Sequence, residues 1–133
     1  MGTMSSKQPS HARFPKSARL LKSSEFDEVF QRRCSCADDV LVIYGRRTAQ
    51  AQTRLGLVVS RKCGNAVRRN RWKRAIREAF RRLRSELPEG IDLAVLPRPH
   101  AEPQAAKVAQ SLKKLVRQLD QRLRQRRGRS PRN

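Results

Sequence analysis

The chain's 133 residues, 37% of them hydrophobic, suffice for one compact domain with its own core and leave little for a second. Thirty-two Lys and Arg against 11 Asp and Glu give a formal net charge of +21, and self-repulsion on that scale calls for an anionic partner, nucleic acid first among them. No run of about 18 apolar residues offers a membrane span, Met1–Arg13 lacks the apolar core of a signal peptide, and three cysteines are too few for a disulfide scaffold, so a cytoplasmic, reducing setting without a membrane partner is expected.

Residues 1–17, rich in Ser, Pro and basic side chains, are expected to form a flexible basic segment. Ser24 can cap a helix over Ser24–Arg32, with Phe26, Val29 and Phe30 recurring at helical spacing. Cys34 and Cys36 are one residue apart and far from His11 and His100, which is not zinc spacing, so they and Cys63 are expected to be reduced thiols. Asp39–Tyr44 and Arg54–Ser60 read as β-strands, and the simplest arrangement joins them as an antiparallel pair through the polar stretch Gly45–Thr53. After a turn at Gly64, Asn65 is placed to cap a long helix from Ala66 to about Glu86, which Pro88 and Gly90 stop.

Ile91–Leu96 reads as a further strand. Pro103 opens the last helix, where Ala105, Val108, Leu112, Leu115, Leu119 and Leu123 trace one apolar stripe. The domain is expected to span 18–123, with 124–133 a disordered basic tail. This order of elements predicts an α+β fold, a single-domain sandwich in which helices pack on one mixed sheet.

From Arg61 to Arg84 eleven basic residues face a single acid, Glu78. On a helical wheel, Trp72, Ala75, Ile76, Ala79, Phe80, Leu83 and Leu87 share an arc of about 140°, while Arg71, Lys73, Arg74, Arg77, Arg81, Arg82 and Arg84 occupy the opposite side. An ordinary solvated face would mix its signs, and like charges at i, i+3 and i+4 each cost a few tenths of a kcal/mol, so this face is read as a binding surface for a polyanion. Asn70, a poor residue for a helix interior, lies amid the charges, and Arg68 and Arg69 belong to the first turn. Lys62, Gly64 and Asn65 stand at the helix entrance, where free backbone N–H groups favour phosphate. Phe26, Phe30 and Tyr44 either fill the core or line a groove where unpaired bases stack. No catalytic constellation is present: the histidines are isolated and the acids do not cluster, so no catalytic and no metal-ligating residues are assigned.

Arg54, Gly56, Val59 and Ser60, then Lys62, Gly64, Asn65, Ala66 and Val67, then Arg69, Asn70, Arg71, Lys73, Arg74, Arg77 and Glu78, resemble the signature of the bacterial ribonuclease P protein subunit. With Arg19, Leu20, Phe26, Phe30 and Tyr44 the resemblance covers about Arg19–Arg122. It departs where Arg61 stands for a frequent lysine and where Cys63 and Trp72 replace residues commonly aliphatic. The resemblance implies a left-handed strand–helix–strand crossover and a protein that binds a large catalytic RNA and helps it remove the 5′ leader of precursor tRNA. It implies that Arg69, Asn70, Arg71, Lys73, Arg74 and Arg77 lie on the catalytic RNA. Arg61, Lys62, Asn65, Arg68 and Arg81 extend that expected set along the same surface. Phe26, Phe30 and Tyr44 would line the cleft that takes the leader. Catalysis would then belong to the RNA and to Mg2+ held mainly by it, with no cofactor bound tightly by the protein and no obligate protein partner. The competing reading is a structural RNA-binding protein, such as a ribosomal component.

Overall fold

The computed structural model describes residues 23–32, 34–49 and 51–128, so the expected N-terminal segment 1–17 and the last residues of the tail lie outside the described residues. Helix α1 spans Ser23–Arg32, β1 Ser35–Ala37, β2 Leu41–Arg47, β3 Arg54–Leu57, α2 Ala66–Leu83, β4 Ile91–Pro97 and α3 Ala105–Gly128. The strands form one mixed sheet in the order β1-β2-β4-β3. The α+β class expected from the sequence is the one observed.

The strand pairing differs from the expectation. β2 and β3 are not a hairpin: β4 lies between them, antiparallel to β2 and parallel to β3. The physical reason lies in β4 itself, where Ile91, Asp92, Leu93, Ala94 and Val95 are all fully buried, so this strand needs cover on both faces and neighbours on both edges. A fully buried, largely apolar run outcompetes a local turn for the centre of a sheet. β3–α2–β4 is therefore a crossover between adjacent parallel strands, which needs the long helical connection it has.

Boundaries shift for local reasons. Asp38 Oδ1 accepts from the backbone N–H groups of Val40 (2.9 Å) and Leu41 (3.0 Å), which turns the chain between β1, too short to be foreseen, and β2. α1 begins at Ser23, one residue before the expected cap. β3 ends at Leu57, although the Val58 N–H still donates to Val95 O at 3.0 Å. α2 ends at Leu83, and a 3-10 turn over Arg84–Glu86 completes the stretch expected to be helical. α3 continues through Arg124 to Gly128, residues read from sequence as disordered tail; Arg and Gln are good helix formers, and Leu123 still packs in the core.

The two sheet faces have different work. On one, Leu41, Ile43, Leu55, Leu93 and Val95 meet Trp72, Ile76 and Phe80 of α2 and Leu112, Leu115 and Leu119 of α3, which makes the main core. Gly45 permits it, since a Cβ there would collide with Leu119. On the other face, among the described residues, α1 covers the sheet, and Val29 and Ala94 are its fully buried hydrophobics, with Phe26, Phe30, Tyr44 and Leu96 packed around them. Among the described residues no helix is long and apolar enough to cross a membrane.

Candidate nucleic-acid interface

The entrance to α2 is built from three local devices. Ser60 leads into a 3-10 turn over Arg61–Cys63, and buried Cys63 anchors it. Gly64 then adopts φ 119°, a region that only glycine enters freely, and Arg68 occupies the space a side chain there would need. Asn65 caps the helix as expected, its Oδ1 accepting the Arg68 backbone N–H at 2.9 Å. Arg61, Lys62, Asn65, Ala66 and Val67 are all exposed around this corner, and Val67, at 69% exposure, is an apolar residue facing outward among cations.

Along α2 the basic face divides in two. Asn70, Arg71, Arg74 and Arg77 are exposed and Lys73 is half-buried, and none of these cations makes an ion pair among the described residues. Farther on, Arg81 and Arg82 both close on Glu78, with Arg81 Nε–Oε1 at 3.1 Å and Arg82 Nε–Oε2 at 2.8 Å. Hydrogen bonds from Arg81 and then Arg82 hold the Glu78 carboxyl down at about 2. Two first-turn arginines are also engaged: Arg68 donates to Glu102 Oε1 (3.1 Å) and Ala101 O (2.6 Å), and Arg69 to Gly64 O (3.2 Å). Of the residues singled out in the sequence, the structure thus leaves Arg61, Lys62, Asn70, Arg71, Lys73, Arg74 and Arg77 as the open cationic surface, and ties Arg68, Arg69 and Arg81 partly inward.

The three aromatics expected to line a cleft do come together. Phe26 and Phe30, one turn apart on α1, lie 6.2 Å between ring centroids and nearly parallel, and Phe30 meets Tyr44 of β2 edge-on at 4.9 Å. All three are half-buried, packed around Val29 and Ala94. Next to Tyr44 the sheet register places Ala94 and then Gly56, small residues that leave the floor beside the rings low.

Sequence reasoning missed a buried polar cluster under α1. Asp92 has no exposed surface and is held by Arg54 and Arg46, the three aligned across β3, β4 and β2. A lone acid inside an otherwise apolar strand was the available signal, because a buried carboxylate requires partners. Among the described residues, no three of His, Cys, Asp and Glu are grouped to hold a metal ion.

A one-sided cationic helix on one face of the sheet and an aromatic-lined surface on the other, on one small α+β domain, define a polyanion-binding protein. Comparison with known proteins makes the class specific. The ribonuclease P family profile matches residues 14–120. The ribonuclease P protein component of Geobacillus kaustophilus is 46% identical over 104 residues, covering 77% of this chain and 86% of the relative. That of Brevibacillus brevis is 48% identical over 88 residues, covering 65% and 70%. The solved ribonuclease P proteins of Staphylococcus aureus (33% identity, TM-score 0.68, covering 77% and 94%) and Thermotoga maritima (33%, TM-score 0.67, 75% and 96%) share the fold. The chain belongs to the ribonuclease P protein component family, subunits of a tRNA-processing endoribonuclease ribonucleoprotein.

Proposed function

We propose that this chain serves as the protein subunit of a bacterial, cytoplasmic ribonuclease P, binding the catalytic RNA through α2 and the 5′ leader of precursor tRNA through the aromatic cleft. The observation that carries the reading is the open cationic surface of Arg61, Lys62, Arg71, Lys73, Arg74 and Arg77, at the entrance and in the N-terminal half of α2, none of which makes an ion pair among the described residues, in a chain that belongs to this family. Its guanidinium and ammonium groups are free to replace counterions on phosphates, and the N-capped helix entrance adds backbone donors. Half-buried Phe26, Phe30 and Tyr44 offer ring faces on which unpaired leader bases can stack, each contact being worth about 1 to 3 kcal/mol. Magnesium ions held mainly by the RNA would supply the activated water and the charge stabilisation of phosphodiester hydrolysis. The protein's own contribution is to neutralise backbone repulsion in the RNA and to hold the leader, so it raises affinity for precursor more than it alters bond cleavage.

The deciding experiment mixes the purified chain with its organism's catalytic RNA and precursor tRNA in magnesium. Leader removal at sub-saturating substrate should accelerate on adding the protein. Unchanged cleavage, in the presence of demonstrated RNA binding, would defeat the proposal.

A further inference from the structure

Asp92 lies at the middle of the sheet, fully buried, on the face that α1 covers. Burying a carboxylate is costly unless it is paired and hydrogen-bonded, and here two arginines meet it. Arg54 grips it with two hydrogen bonds, Nε–Oδ1 at 2.9 Å and Nη2–Oδ2 at 2.8 Å, while Arg46 Nη2 reaches Oδ2 at 3.1 Å. Hydrogen bonding to Asp92 raises the Arg54 guanidinium above its already high ordinary value, so Arg54 stays charged.

Each arginine has a second partner, and both lie on α1. Arg54 Nη1 meets Glu25 Oε2 at 2.9 Å, and Arg46 Nη1 bonds Glu28 Oε1. The glutamates are three residues apart and so share one side of the helix. α1 has 10 residues and, among its described side chains, only Val29 is fully buried, so apolar packing alone holds it lightly. Ionic contacts at two points along its length fix both its height above the sheet and its tilt. Phe26 and Phe30, interleaved with the glutamates, move wherever α1 moves.

We infer that the network Glu25–Arg54–Asp92–Arg46–Glu28 is a positioning device: it locks α1 as the wall of the aromatic cleft and thereby sets affinity for single-stranded leader RNA. The inference rests on the proposed role of the cleft. It also assigns Arg46 and Arg54 to carboxylates rather than to phosphates, despite their place on the cleft side of the sheet.

The test exploits a difference of sign. The double variant Glu25→Gln with Glu28→Gln makes the chain two charges more positive than its native +21, so bare electrostatics would tighten every RNA complex. A positioning role requires the reverse for one ligand only: affinity for precursor tRNA, measured with the reconstituted holoenzyme, should fall about fivefold or more, while mature tRNA and catalytic RNA bind at least as well as before. Asp27→Asn removes one negative charge from the same helix at an exposed position that makes no ion pair among the described residues, and should not weaken precursor binding. If the double variant does not fold, Glu28→Gln alone, at a side chain 58% exposed, carries the same predicted direction. Phe30→Ala separates the two ideas. If it too fails to lower precursor affinity selectively, the cleft reading falls; if it lowers it but the glutamine variants leave precursor binding unchanged or tighter, the network inference is overturned.

Discussion

Gly64 holds φ 119° so that the chain can leave its 3-10 turn and enter α2 with Arg68 lying over the glycine. Gly64→Ala forces a side chain into a conformation reserved for glycine and should cost about 1 to 3 kcal/mol, read from urea unfolding, with loss of RNA affinity as the entrance distorts. Asp38 makes a different kind of prediction. Burial alone would raise its carboxyl, but hydrogen bonds from Leu41 and Val40, with Ser111 and Lys114, outweigh burial and hold it at about 2 against an ordinary 3.8. A depressed folded value means that this carboxylate adds stability above pH 3.8 and that the contribution fades as pH falls toward 2. Asp38→Asn should therefore lower stability at neutral pH and weaken its acid dependence in that window, as followed by thermal melting at stepped pH. Single residues were unevenly legible in the sequence. The Asn65 cap, Gly64 and the buried stripe through Trp72, Ile76 and Phe80 announce themselves by type and spacing. The inward ties of Arg68 to Ala101 and Glu102 do not, because the partners come from a distant loop that no periodicity points to.

Among the elements, α2 was read correctly as an amphipathic rod, yet its charged face is not uniform. Glu78 engages Arg81 and Arg82, so the cations available to a phosphate lie toward the N-terminal half. The triple variant Arg71→Ala, Arg74→Ala, Arg77→Ala should reduce the slope of log affinity against log salt for the RNA partner by about 2 to 3, whereas Arg81→Ala with Arg82→Ala should reduce it less, since those charges are already partly neutralised. Filter binding across a salt series checks both. The strands show where local reasoning loses. A polar loop between two β-branched runs looks like a hairpin, but pairing is decided by which strand most needs burial, and β4 takes both neighbours. A continuous apolar Leu-Ala-Val-Leu run was the sign of a central strand; its partners lie too far along the chain for any short-range pattern to name.

For the molecule as a whole, a net charge of +21 on a small domain makes salt act in opposite directions on the two states. Added NaCl should raise the melting midpoint of the free protein by screening its self-repulsion, and should weaken the RNA complex by reducing the gain from counterion release. Calorimetry of the free chain beside binding at matched salt would reveal the two trends, and a free protein destabilised by moderate NaCl would show that self-repulsion is not what limits it. The sheet order has a last implication for how the molecule is made. Both long-range ladders run through β4, the last strand among the described residues, so a nascent chain that has not yet delivered Ile91–Pro97 to the outside of the ribosome carries two sticky edges with nothing between them. The fold cannot close until that strand has emerged, and a message truncated upstream of it yields a product for proteases and chaperones rather than a shorter working subunit.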